Sequence, residues 1–193
     1  MKKWMIVGCI LVLCMALAAC NKNNTPPVEE DLQGQRLVLG STMPNVKLTD
    51  PMGNSFTLYE LLEEKKMVML NFWFIDCPYC VMEFPAIQAA YSQYEQDVAI
   101  VALTPYDSAL DILEFQQEHE LEFVMCQDEP GLNEVFSVTG YPTTVILDRD
   151  GVICMVAPGA VPYEEVFLRI FDCFTAEDYE TTLIRNIAEF YAD

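Results

Sequence analysis

The chain has 193 residues, enough for one domain of ordinary size with appendages. It is 52% hydrophobic, which excludes disorder over most of its length, and 30 acidic against 10 basic residues give a net charge of −20. So acidic a surface repels phosphate backbones and excludes nucleic acid as a partner.

Lys2 and Lys3 precede an apolar run from Trp4 to Ala19. Sixteen residues fall short of the roughly 20 that span a bilayer comfortably, and the pattern is that of an export signal. The run ends Leu17-Ala18-Ala19-Cys20, which resembles the lipobox of bacterial lipoproteins, where cleavage precedes a lipid-modified cysteine. The alternative is an uncleaved N-terminal anchor; either way the body lies outside the cytoplasm, tethered to a membrane. Cleavage after residue 19 would leave 174 residues, a net charge of −22 and six of the eight cysteines. Residues 20–36 are polar and contain Pro without hydrophobic period, so a flexible linker is expected there.

Further on, Val46–Thr49 and Ser55–Thr57 flank Asp50-Pro51-Met52-Gly53-Asn54 and read as a small hairpin. Leu58–Glu64 reads as a short helix, and Met67–Trp73 as a strand buried on both faces. A helix should follow from Pro78 to about Glu95, with Pro78 in its first turn and Pro85 kinking its interior. Asp97–Leu103 reads as a second buried strand, Ser108–Glu118 as a helix, Glu122–Cys126 as a short strand and Gly131–Phe136 as a short helix. Thr143–Leu147 and Val152–Val156 flank Asp148-Arg149-Asp150-Gly151, a hairpin signal. Two helices close the chain. The first, Tyr163–Phe174, places Val166, Phe167, Ile170, Phe171 and Phe174 on one stripe. The second has Thr175-x-x-Asp178 as a capping box and Leu183, Ile187 and Phe190 as its stripe. Alternating strands and helices with a terminal hairpin predict an α/β domain over residues 37–160: a mixed central sheet with helices on both faces, an N-terminal hairpin and a C-terminal helical extension, 161–193.

Cys77-Pro78-Tyr79-Cys80 follows the first buried strand directly. At a strand-to-helix junction the first sulfur sits among unpaired N–H groups at the positive end of the helix dipole, which stabilises a thiolate. The second sulfur is one turn on, close enough to close a disulfide. Three other readings compete: a structural disulfide, a zinc site and a peroxidase site. Zinc needs a second ligand pair, and His119 is the chain's one histidine, in Glu118-His119-Glu120 at a helix end. A peroxidase site would want a hydroxyl and an Arg nearby; Phe74 stands three residues before Cys77 instead. No metal site is assigned.

The segments NFWFIDCPYCVMEFP (71–85) and GYPTTVILDRDG (140–151) resemble the thioredoxin superfamily. More narrowly, they are similar to membrane-tethered TlpA/ResA-like thiol–disulfide oxidoreductases, grouped with redoxin and AhpC/TSA domains, and the resemblance runs from about Gly40 to Gly159. It implies a thioredoxin-like fold in which Cys77 is the nucleophile, Cys80 the more buried resolving thiol and Pro142 a cis-proline facing the disulfide. Tyr141, with Trp73, Pro78, Tyr79 and Thr143, would contact substrate. Glu83 matches an acid near the disulfide, where it would serve as a proton shuttle; otherwise it is an ordinary helix carboxylate. No cofactor beyond the cysteines is implied.

The chain departs from the family at Asp76, a carboxylate beside the first cysteine that opposes thiolate formation, and at Val81, where a basic residue is frequent. The Pro-Tyr dipeptide is more typical of glutaredoxins, whose potentials are more oxidising than thioredoxin's. These cues conflict on direction. Cys126, Cys154 and Cys173 remain, an odd number; if the sheet follows the family's strand order, Cys126 and Cys154 lie on opposite edges, roughly 19 Å apart, leaving a Cys154–Cys173 bridge or three buried thiols.

The leading expectation is therefore an extracytoplasmic, lipid-anchored enzyme of the bacterial envelope, fixed through Cys20. It would reduce disulfides of exported proteins and be recharged by a membrane thiol donor. The alternatives are a thiol oxidant that introduces disulfides, a peroxide-detoxifying redoxin and a non-enzymatic binding lipoprotein on the same fold.

Overall fold

The computed structural model describes residues 25–29 and 31–176. The export signal, Cys20 and the last predicted helix, with Leu183, Ile187 and Phe190, lie outside the described residues.

A two-stranded antiparallel hairpin comes first, β1 (Lys47–Thr49) and β2 (Ser55–Thr57), with Leu48 opposite Phe56. Asp50 holds its turn by accepting from the backbone amides of Met52 and Asn54. Helix α1 (Leu58–Glu64) starts on a capping box, in which the Glu60 amide donates to Thr57 Oγ1 and the Thr57 amide to Glu60 Oε2. The remaining elements are β3 (Met67–Phe72), α2 (Pro78–Tyr94), β4 (Val98–Thr104), α3 (Ala109–Glu118), β5 (Val124–Gln127), α4 (Leu132–Val135), β6 (Thr143–Asp148), β7 (Ile153–Pro158) and α5 (Glu164–Thr175).

The main sheet has the order β5-β4-β3-β6-β7, parallel across β3, β4 and β5 and antiparallel across β3, β6 and β7. Side chains alternate along a strand, so the central run is read twice. Met67, Met69 and Trp73 enter the core under α2 and α5, and Val68, Leu70 and Phe72 enter the core under the hairpin, α1 and α4. Asn71, by the same alternation, points toward α2, and is the polar member of an otherwise apolar strand. At the β6–β7 turn Gly151 has φ +76°, and a Cβ there would stand 2.9 Å from the Tyr59 hydroxyl.

Helix α2 continues through Pro85 without a break between Pro78 and Tyr94. Helix α5 buries Phe167, Phe171, Cys173 and Phe174; Ile170 packs at the margin and Val166 stays partly exposed. These rings share one core with β3 and α2, so the boundary drawn at 160/161 does not fall at a gap in the packing. Tyr94 ties α2 to α5, its ring 5.7 Å from that of Phe171 and its hydroxyl donating to Asp172.

Within the expected linker, the described residues are anchored at two points: the Glu29 amide donates to Asn45 O, and Leu32 is buried in the core beside the hairpin, while most of the residues around it are exposed. A single leucine closed by the turn 31–35 supplies that anchor without any periodic pattern. Thr175 is the last residue of α5, and its hydroxyl donates back to Phe171 O at 2.7 Å; its expected partner Asp178 lies outside the described residues.

Candidate active site

The parallel strand β3 ends at Phe72, and residues 73–77 carry the chain to the start of α2. Asp107, in the loop after β4, holds this turn: its carboxylate accepts from the Ile75 amide at 3.0 Å and from Thr104 Oγ1 at 2.6 Å. Cys77 is the N-cap of α2, Pro78 occupies the first turn, and the Cys80 amide donates to Cys77 Sγ at 3.2 Å. That sulfur thus takes the place of a capping oxygen, and a thiolate there would meet both the amide and the helix dipole. Cys77 and Cys80 form a disulfide with Cα atoms 5.3 Å apart. Cys80 has no exposed surface and Cys77 retains 3%, so an incoming thiol or disulfide reaches Cys77 first.

Pro78 and Tyr79 are exposed beside the disulfide. The Tyr141–Pro142 bond is cis, and Pro142 leads directly into β6. Tyr141 is half-buried; its hydroxyl donates to Asn133 Oδ1 at 2.6 Å and its ring meets Phe74 edge-on at 5.2 Å. Burial and the neighbouring Tyr106 hydroxyl raise the pKa of Tyr141.

Two of the five expected substrate contacts face inward. Trp73 is fully buried, edge-on to Phe84 at 5.1 Å and tilted against Phe115 at 4.8 Å, so it supports α2 and α3 from beneath. Its place at the end of β3, in alternation with Met67 and Met69, commits it to the core. Its indole N–H finds no acceptor among the described residues. Thr143 is also buried, its hydroxyl donating to Gly140 O at 2.8 Å.

Glu83 stands one helical turn after Cys80, on the same face of α2. It is fully buried, and both carboxylate oxygens accept N–H groups: Asn71 Nδ2 to Oε1 and the Val161 amide to Oε2, each at 2.9 Å. Burial raises its pKa above the ordinary carboxylate value, and the two donors pull back part of that shift. A carboxyl so placed can hold or release a proton at a pH where surface glutamates cannot.

Asn71, Tyr106 and Asp107 complete the surroundings without having been singled out in the sequence. For Asn71 the signal was present, one amide inside MVMLNFW. Tyr106 and Asp107 belong to a loop with no motif, and only the fold brings them to the disulfide.

Cys126, Cys154 and Cys173 are not disulfide-bonded. Cys126 and Cys154 lie on β5 and β7, the two outer strands. Cys154 Sγ is directed at Asp148 Oδ2 (3.6 Å) and Val152 O (3.4 Å). Burial pushes the thiols of Cys126 and Cys154 up to about 12, with Asp148 adding to the second. His119 is exposed at the end of α3, its ring 4.2 Å from that of Phe115.

A family model described as the AhpC/TSA family matches residues 39–156. The thioredoxin-like protein YneN of Bacillus subtilis is 28% identical over 169 residues, covering 86% of this chain and 95% of that protein. The thiol-disulfide oxidoreductase ResA of Halalkalibacterium halodurans is 34% identical over 130 residues, covering 66% of this chain and 72% of that protein. Among solved structures, a thiol:disulfide interchange protein of the thioredoxin family from Chlorobium tepidum TLS superposes with a TM-score of 0.64 at 18% identity, covering 72% of this chain and 99% of that one. That likeness carries the fold, and the sequence relatives carry the chemistry. A buried disulfide at a helix N-terminus, a cis-proline before β6 and these relatives converge: the chain belongs to the AhpC/TSA family and is a TlpA/ResA-like thiol–disulfide oxidoreductase of the thioredoxin superfamily.

Proposed function

We propose that this enzyme works as a reductant, cleaving disulfides of exported proteins outside the cytoplasm while held to the membrane by a lipid on Cys20. The observation that carries the direction is electrostatic. Residues 67–148, which supply β3, α2, β4, α3, β5, α4 and the cis-proline loop, contain 14 Asp and Glu and no Lys or Arg. Strong thiol oxidants owe their potential to a stabilised reduced form. Here the helix N-terminus activates Cys77, but no basic side chain on these elements favours its thiolate and Asp76 opposes it, so the disulfide form is favoured and the dithiol is reducing.

In the reaction the Cys77 thiolate attacks one sulfur of the substrate disulfide. A Cys77–substrate disulfide forms and the other substrate sulfur leaves as a thiolate, which takes up a proton. Cys80 then gives up its proton, with Glu83 as the buried acceptor, and attacks Cys77 Sγ. The second substrate thiol departs, and Cys77–Cys80 is oxidised by the two electrons the substrate gains. A membrane thiol donor returns the pair to the dithiol. The Leu17-Ala18-Ala19-Cys20 sequence supports the tether.

In cells, Cys80→Ser should accumulate mixed disulfides between Cys77 and exported proteins, and none should form in the Cys77→Ser, Cys80→Ser double variant. Absence of such adducts contradicts the mechanism. Labelling with radioactive palmitate that persists in Cys20→Ala contradicts the lipid site.

A further inference from the structure

The rings of Phe74, Tyr106 and Tyr141 form a closed set: centroids lie 5.6 Å apart for Phe74 and Tyr106, 5.2 Å for Phe74 and Tyr141, and 5.9 Å for Tyr106 and Tyr141, all edge to face. Two of the three are tied to the redox centre by the backbone. The Phe74 carbonyl accepts from the Cys77 amide at 3.1 Å, and Tyr141 immediately precedes the cis-proline. Tyr106 is the outward member, held by the other two rings yet 67% exposed. Mutual contact fixes these rings before any ligand arrives, so binding on them sacrifices little side-chain entropy.

Every charged side chain that residues 67–148 bring near them is acidic. Asp76 is exposed next to Cys77, Asp107 follows Tyr106, and Asp128 acts electrostatically on Tyr141. The cations that border residues 67–148 lie at the other end of the sheet. Lys65 and Lys66 precede Met67, the start of β3, and Arg149 follows Asp148, which pairs with Met67. They are occupied there: Lys66 pairs with Asp97 at 3.1 Å, Lys65 Nζ donates to Glu95 O, and Arg149 donates to Ala176 O. A six-residue strand separates the two ends by roughly 17–20 Å, about twice the screening length at physiological salt. At physiological salt, distance and local pairing therefore keep the basic end from neutralising the field at the disulfide.

We propose that this aromatic platform in its acidic surround selects substrate disulfides whose cysteine is flanked by lysine or arginine. The cationic side chain lies on the exposed Tyr106 face, where the ring quadrupole attracts it, while Asp76 and Asp107 supply the long-range attraction. The neighbouring cysteine is then presented to Cys77 Sγ. The inference rests on the disulfide-reducing reading above and names the substrate class for that same site.

The test uses the purified, reduced protein and three substrates. Two are hexapeptides carrying their cysteine as a mixed disulfide with thionitrobenzoate, identical except for Lys or Glu on both sides of the cysteine; the third is the uncharged hydroxyethyl disulfide. At low salt kcat/KM for the Lys peptide should exceed that for the Glu peptide about tenfold, and the ratio should fall to about two in 0.5 M NaCl. In Tyr106→Ala, whose truncated side chain is mostly outside the core, the low-salt ratio should fall severalfold. A ratio near one for the wild type, or an unchanged ratio in Tyr106→Ala, overturns the proposal. Failure to reduce hydroxyethyl disulfide at all overturns the underlying redox reading instead, and the selectivity with it.

Discussion

The side-chain amide of Asn71 donates to Glu83 Oε1 at 2.9 Å, and neither residue has any exposed surface. The pair joins the central strand to the helix that carries the disulfide, and the Val161 amide closes the other side of the carboxyl. Its pH dependence has a definite sign. Burial raises the folded-state pKa of Glu83 above its ordinary 4.5, so the folded protein holds a proton that the unfolded chain releases. The stability Glu83 contributes is therefore fully present below the unfolded value and is lost as pH rises through the folded one. The urea stability of the wild type minus that of Glu83→Gln should decrease from pH 4.5 upward; an increase would show that the two N–H donors outweigh burial.

Asn71→Leu keeps much of the volume and removes the donor, leaving one oxygen of a buried carboxylate unpaired. It should destabilise the protein by about 1–3 kcal/mol at neutral pH. Because the penalty falls on the charged carboxylate, it should shrink as pH drops and Glu83 protonates. Equal losses at both ends of the pH range would assign the effect to packing alone.

Trp73 lies under the redox turn with no exposed surface. Trp73→Ala should cost about 3–5 kcal/mol in chemical denaturation. A loss below 1 kcal/mol would contradict its place in the core.

The non-catalytic thiols give a counting experiment. A chain beginning at Asn21, oxidised at Cys77–Cys80 and denatured without reductant, should show three reactive thiols, from Cys126, Cys154 and Cys173. A Cys154–Cys173 bridge would leave one. In the folded protein, Cys126 and Cys154 should alkylate slowly at neutral pH, since burial pushes both up to about 12.

The sequence made the local elements and the reactive pair legible for physical reasons that can be named. MVMLNFW is buried on both faces, and its continuous apolarity marks a central strand. Cys77-Pro78-Tyr79-Cys80 has to sit at a helix start, because Pro78 is tolerated there and a sulfur can cap. What was misplaced depends on side-chain direction and on long-range pairing. The family resemblance puts Trp73 among the substrate contacts, but alternation along β3 turns it into the core. Leu32 packs against the body from a segment whose composition resembles a linker. Tyr106 and Asp107 come to the site only because β4 runs parallel to β3, ending beside the same turn. Both the acidic bias and the absence of Lys or Arg from residues 67–148 were countable, yet their meaning needed the register that sends Lys66 and Arg149 to the far end of the sheet.

The most direct measurement is the reduction potential of the Cys77–Cys80 couple, obtained by equilibrating the protein with glutathione and quantifying the dithiol fraction. An acidic site that withholds stabilisation from the Cys77 thiolate predicts a value at or below about −230 mV, among the reducing members of the superfamily. A value near −120 mV, that of a strong oxidant whose reduced form is stabilised, would contradict the account.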